Sequence, residues 1–384
     1  MSEIKVNSIK GVGASAAAIT VNNSDGTCTA NITNRSNRNI IINGAMQVAQ
    51  RGTSFTATGN EYTVDRFSHH TGSGFNFDTT TTQSSDAPNG FAKAIKITPD
   101  SVVTPSATQN GLFAYSIEGQ DVQQLAYGTS SPQKITLSFY AKSASQNNNH
   151  QYTIQIRKVD TAGNIKHVLQ PFTVTSSYQR FTFTFDGDTA SDIVDGTGLG
   201  VELDFILVAG SSDLESATST WATSSGFRGV TGQSNFMDNT SNEFYLTGVQ
   251  LEVGSVATDF EHRSFGQELA LCQRYYYQIA PAVAESLIGT TVNPDASADL
   301  CTIRFPVEMR NEPTLVVSNF SNAFRLYASA GTRNPSTFIL NTGVGSTKSV
   351  QISVSGGTSG AVGFLRVYNP DSGVYATVAV TAEL

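Results

Sequence analysis

Few residues in this chain have the type and spacing to do chemistry. The densest carboxylate group is Asp186-Gly-Asp188, with Asp192 and Asp195 shortly after it. Oxygen-rich loops hold Ca²⁺ when six to eight oxygens converge, so Asp186, Asp188 and Asp192 are the candidate ligands of a structural calcium. The terminal Glu of an EF-hand loop is missing, and Asp and Gly between two strands are also ordinary turn formers. The five histidines, His69, His70, His150, His167 and His262, show neither HExxH nor HxH spacing. A G-x-S-x-G elbow is absent, and Gly11-Val-Gly13 lacks the third glycine of a phosphate-binding turn. Cys28, Cys272 and Cys301 are odd in number and far apart, which reads as free buried thiols instead of a metal site or disulfide framework. A paired-carboxylate glycosidase needs two acids facing each other across a cleft, and the spacing singles out no such pair. The chain is expected not to be an enzyme and, apart from that calcium, to need no cofactor.

Binding chemistry has better candidates. Sugars pack their apolar faces on aromatic rings while polar neighbours take the hydroxyls. Trp221, the only tryptophan, lies in TSTWATSSGF ahead of Phe227. A second group is Phe324, Arg325 and Tyr327, in a stretch expected to be irregular. Tyr368 and Tyr375 flank a turn. These seven side chains are the candidate ligand contacts, with core packing as the competing reading for each.

The elements that must position them are β-strands. Charged residues are 14% of the 384 and Ser, Thr, Asn and Gly take their place, the habit of turn-rich β-proteins with exposed strand faces. Ile135, Leu137, Phe139 and Ala141 alternate inward. Tyr152, Ile154 and Ile156 repeat the pattern, as do Phe181, Phe183 and Phe185, and then Val201, Leu203, Phe205 and Leu207. Phe244, Leu246, Val249 and Leu251 close the series, with Gly248 reading as a bulge that shifts the register. Asn39 to Val48 reads as a first strand, and His69-His70 as loop residues. The spacing predicts an antiparallel sandwich over residues 39–260. A second small β-sandwich is predicted over 285–384, with strands at 298–306, 314–317, 338–340, 349–354, 364–368 and 374–381.

Between them the period changes. Phe265, Leu269, Cys272, Tyr276 and Ile279 lie on one helical stripe, Ser264 and Gln267 form a capping box, and Pro281 is the stop. Residues 261–284 are thus a helical connector whose stripe fits a d-a-d-a-d seam on a threefold axis, the candidate contact of a homotrimer. Packing on the chain's own sandwich is the alternative. Residues 1–38 alternate weakly, in the manner of a small hairpin without a core, and need a partner surface.

Two stretches carry a resemblance. QLEVG, FEHRS and CQRYY, within 250–276, and NIIINGAMQVAQRG with YTVDRF, within 39–67, resemble a module of bacteriophage tail-fibre and receptor-binding proteins, marine phages especially. The resemblance implies a central jelly roll like that of carbohydrate-binding modules, so the expected fold is all-β: a central jelly-roll sandwich, a short connecting helix and a small C-terminal β-sandwich. It implies a virion fibre that attaches to host-surface glycan, with residues 1–38 docking on other virion proteins. A capsid decoration or head-fibre protein is the alternative, and a polysaccharide depolymerase a third. A net charge of −8 with scattered basic residues argues against nucleic acid, and no apolar run is long enough to insert in a membrane. An export signal is not visible, in keeping with assembly in a host cytoplasm and release by lysis.

Overall fold

The computed structural model describes residues 8–9, 19–21, 28–30 (backbone only) and 37–384, except 73, 225, 282, 284, 296, 318–323, 336, 342–345 and 369–375. Tyr375 therefore lies outside the described residues. Near the start, Ser8–Ile9, Ile19–Val21 and Cys28–Ala30 form an antiparallel meander, one strand more than a hairpin.

The central unit is two antiparallel sheets. One has six strands in the order Gln179–Phe185, Ile135–Ser143, Phe244–Val253, Ala94–Pro99, Thr79–Ser84, Ser54–Ala57. The other has seven, in the order Thr218–Thr223, Ile165–Thr173, Gln151–Val159, Leu199–Ala209, Asn110–Glu118, Phe67–Gly72, Glu61–Tyr62. The chain crosses repeatedly from sheet to sheet, giving a jelly-roll sandwich. The inward residues are those the alternation marks: Ile135, Leu137, Phe139 and Ala141 face Tyr152, Ile154, Ile156, Leu203 and Phe205, all fully buried. Phe139 meets Phe172 and Phe205 edge-on. Truncating such a ring to alanine costs about 3–5 kcal/mol. The bulge is at Gly248: Ser138 pairs with Gln250, but Tyr140 pairs with Thr247. Its φ of 63° suits glycine. A Cβ there would meet Phe91 Cζ at 2.7 Å and Tyr140 Cδ2 at 2.9 Å.

The structure departs from the sequence pattern at three further elements. Asn39 to Val48 is not a strand. Asn43 and Met46 take positive φ, and the Asn43 amide holds the segment folded by bonding Val48 O, Val48 N and Asp65 O. His69-His70 lies in the strand Phe67–Gly72 instead of a loop. The helix, although its Ser264–Gln267 capping box forms, runs only over Phe265–Gln273. Tyr276 and Ile279 belong to the next strand, Tyr276–Ala280, which pairs with Val378–Thr381. The run Tyr275-Tyr-Tyr277 favours a half-buried pleated surface, and an available strand partner overrides the helical period. The five-residue stripe is thus dismantled: Phe265 is 55% exposed, Leu269 half-buried and Cys272 buried in the chain's own interior. Cys272 and Cys301 are both free.

The C-terminal unit begins at that strand. A three-stranded sheet, Tyr276–Ala280, Val378–Thr381 and Thr314–Val317, shares one core with a seven-stranded sheet. The latter runs Gly331–Arg333, Phe324–Ala328, Val362–Val367, Leu287–Val292, Ala298–Arg304, Ser349–Ser355, Phe338–Leu340. Among the described residues no helix is long and apolar enough to cross a membrane.

Candidate functional site

The predicted contacts divide sharply. Trp221 is in an edge strand, not a loop, and is buried. Its indole N–H donates to Asp186 O at 2.8 Å and its ring meets Tyr127 edge-on, so it closes the end of the sandwich instead of offering a platform. Phe227 is half-buried beneath the Arg157 guanidinium, 3.9 Å from its ring. Arg157 also bonds both Glu202 and Asp204, neighbours on one strand face; both acids are buried, and burial together with the Glu202 charge raises the Asp204 pKa well above the usual carboxylate range. Phe324 points inward and stacks on Phe338.

The aspartate group does not converge either. Asp186 is exposed and paired with Lys134 at 2.5 Å. Asp188 is buried between Lys158 and Lys166 at 3.0 and 3.1 Å. Burial raises its pKa, but bonds from the Ala190 N–H, Lys158, Ser191 and Lys166 outweigh that and hold the carboxyl far below the usual range. Asp192 accepts from Thr161. No group of three or more His, Cys, Asp or Glu that could hold a metal occurs among the described residues.

The stretches that carry the phage-fibre resemblance meet in one place, the joint between the two units. The Asn39 amide accepts from Ile41 N and Leu251 N and donates to Val249 O. Arg263 bonds Asn39 O, Ile41 O and Glu268. Glu118, fully buried, takes Arg274 Nε and Nη2 at 2.9 and 2.8 Å and the Tyr275 hydroxyl at 2.6 Å. Arg66, also buried, lies 3.4 Å over the Tyr275 ring and pairs with Glu383, which Arg51 reaches at 2.8 Å. Burial acts to lower the Arg66 pKa, yet Glu383, Tyr115, Tyr275 and Tyr62 together raise it, so it stays charged. Burial also raises Glu118, but the bonds from Arg274 and Tyr275 win and its pKa is lowered. Each charge is opposed and bonded, which is the arrangement of a structural joint.

The remaining predicted residues come together on the outer face of the C-terminal seven-stranded sheet. Arg325, Tyr327 and Tyr368 share it with Phe364 and Arg366, which the sequence reading left out. Tyr327 lies directly opposite Phe364, and Arg325 opposite Arg366. The Arg325 guanidinium sits 3.1 Å over the Tyr368 ring, and that of Arg366 is 5.5 Å from Tyr327. Phe364 is 49% exposed and Val362 58%, with Leu287 and Val292 similarly open on the same face; Ile339 is also open, but on the far edge strand beyond Ser353. Thr290 and Thr332 are exposed beside them. Monomer surfaces seldom leave so many apolar side chains contiguous unless something docks there. The alternation Val362, Phe364, Arg366, Tyr368 marks a strand with two faces, but not which face is open. A second aromatic group, Tyr140 of the six-stranded sheet with Phe91, Phe260 and His262 of the segments outside it, has its rings tilted into one another and offers edges instead of an open face.

No protein-family model and no curated protein matches this chain. Solved structures similar to part of this chain include the family 11 carbohydrate-binding module of the cellulase Lic26A-Cel5E of Clostridium thermocellum, at 15% identity over 54% of this chain and 100% of that one, TM-score 0.29. The xylan-binding CBM22-1 domain of Paenibacillus barcinonensis Xyn10C gives 8% identity over 57% and 96%, TM-score 0.29. The enzymatically active domain of bacteriophage CBA120 tailspike protein 4 gives 14% over 56% of this chain but only 21% of that one, TM-score 0.30.

Proposed function

We propose that this chain is a virion fibre protein that attaches a phage to a host-surface glycan, and that it binds without catalysing. The observation that carries the reading is the outer face of the C-terminal sheet, where the open Phe364 ring, two half-buried tyrosines, hydroxyls and guanidinium groups lie side by side. Such a face suits a chain of sugars: rings for the apolar faces, Thr and Arg for the hydroxyls. The covered Glu202–Asp204 pair supports binding over hydrolysis, since neither acid is free to meet a substrate. The virion setting is supported by the two stretches that resemble phage fibres, residues 1–38 being the docking segment. A homotrimer would multiply weak contacts into avidity. The outward Phe265, and Leu271, which with Ala270 and Val307 lines a groove of about 430 Å³, support self-association near the helix.

Virions carrying Tyr327→Ala and Phe364→Ala are expected to adsorb to host cells at least about tenfold more slowly, the loss of about 1.4 kcal/mol or more of contact. Labelling with antibody should mark the tail, and the purified protein should have the mass of three chains. Normal adsorption by the double variant, or label on the capsid, defeats the attachment reading in favour of decoration.

A further inference from the structure

We propose that the C-terminal face selects an acidic saccharide, whose carboxylate, sulfate or phosphate is taken by the paired guanidinium groups of Arg325 and Arg366. This rests on the glycan-attachment reading above and adds the charge class of the sugar and the residues that read it.

Arg325 and Arg366 are directly opposite on neighbouring antiparallel strands. Side chains so placed have Cβ atoms about 5 Å apart, and like charges there repel. Among the described residues the pair has one carboxylate: Glu285 Oε2 lies 3.3 Å from Arg366 Nη1. That contact is open to water on both sides, so it is weak and easily exchanged. Arg325 has no ion pair among the described residues, and its Nε reaches only Asn334 Oδ1 at 3.3 Å. Arg366 Nε is buried with no hydrogen-bond partner. Two guanidinium groups carry ten N–H donors between them; among the described residues Asn334 and Glu285 accept from them, and the buried Arg366 Nε–H is closed to a ligand. A tyrosine ring stands by each group, Tyr368 beneath Arg325 and Tyr327 beside Arg366, which fixes the planes without blocking the N–H edges. Two guanidinium groups on one outer face are the kind of donors that take an oxyanion. They are a local excess of positive charge on a chain whose net charge is −8.

The ring of Phe364 lies on the same strand two residues from Arg366, so one sugar unit can cover the ring while its acid group reaches the arginines. Exposed Thr290 and Thr332 favour a hydroxyl-rich ligand over a lipid surface.

The test uses the full chain with two polymer pairs: polygalacturonate against its methyl ester, and dextran sulfate against dextran. At least one acidic polymer should bind about tenfold more tightly than its neutral counterpart, and more weakly as salt is raised. The variant Arg325→Gln/Arg366→Gln should lose that preference while keeping its thermal transition. Arg366→Lys, which keeps the charge but not the fork, should lose part of it. Equal binding of acidic and neutral forms, failure to bind either acidic polymer, a preference that survives the double glutamine variant, or binding to phosphatidylglycerol vesicles in place of both acidic polymers overturns the inference. If Phe364→Ala still abolishes binding to the neutral polymers, the attachment reading survives that failure. If adsorption is also indifferent to Phe364, both fall.

Discussion

His69 shows how burial sets the chemistry of single residues in this protein. Its ring stacks on Phe77 at 4.4 Å, and its nitrogens meet Gly59 O and Thr79 Oγ1, each at 2.9 Å. Burial, the largest cause, lowers its pKa to about 4, against a raising contribution from Gly59 O and a lowering one from His70. Between pH 6.5 and 4 the unfolded chain therefore binds a proton that the folded one refuses, and stability falls as pH drops through that window. At about 1.4 kcal/mol per pH unit the whole window is worth about 3 kcal/mol. His70 and His167 are lowered as well, with the same sign. Urea unfolding of the wild type should lose about 2 kcal/mol more than His69→Gln between pH 7 and pH 5. Identical pH slopes for the two proteins would show that the proton is not excluded. Single-residue roles were the least legible part of the sequence. Trp221 and Phe324 have the same residue types as a sugar platform, and only the direction of the strand beneath them sends them inward. Arg325, Tyr327 and Tyr368 were named from their types; Phe364 and Arg366 were not, because an open strand face and a buried one alternate identically in sequence.

Strands of the central unit were largely legible, because each has one face in the core and a period of two leaves no ambiguity. The bulge at Gly248 was legible for a similar reason: a glycine between two in-phase runs must absorb a register change. Gly248→Ala should cost about 1–3 kcal/mol, from the positive φ together with the displacement of Phe91 and Tyr140. Thermal unfolding measures it, and an unchanged midpoint would mean that the bulge relaxes. The misread elements share a cause. At Tyr276–Ala280 a helical spacing coincided with a strand-forming composition, and the arbiter was a partner strand about a hundred residues away. At 39–48 the apolar run is held not by a ladder but by asparagine amides and Arg263, which periodicity does not register. Leu287–Val292 and Phe324–Ala328 escaped notice because Gly289 interrupts the first and the second has only two inward residues, Phe324 and Leu326. Gly289 is required there by close packing, since a Cβ would lie 2.6 Å from Cys301 Sγ.

At the scale of the whole molecule, the joint decides whether the outer C-terminal face is carried firmly or swings free. Tyr62 donates to Leu384 O, Gln50 to Tyr276 O, and Arg310 to Thr197 O, Ala382 O and Glu383 O, so backbone from both units is tied on several sides. Arg66 and Glu383 sit among these ties, and Arg66 has no access to water. Removing one member of such a pair leaves a buried charge without a counter-charge, typically a loss of about 3–5 kcal/mol, whereas removing both together costs less. In calorimetry the wild type should therefore melt in one transition. Glu383→Gln should separate a C-terminal transition at lower temperature from that of the central sandwich. Arg66→Met combined with Glu383→Gln should bring the two back towards each other, because no stranded charge remains. If Glu383→Gln melts as a single unshifted transition, the units are coupled by their backbone contacts alone. If the double variant is no better than the single one, the ion pair matters for its packing and not for its charge. The first result would move the source of firmness from Arg66 to the strand Tyr276–Ala280, which leaves the joint on one side and enters the C-terminal sheet on the other.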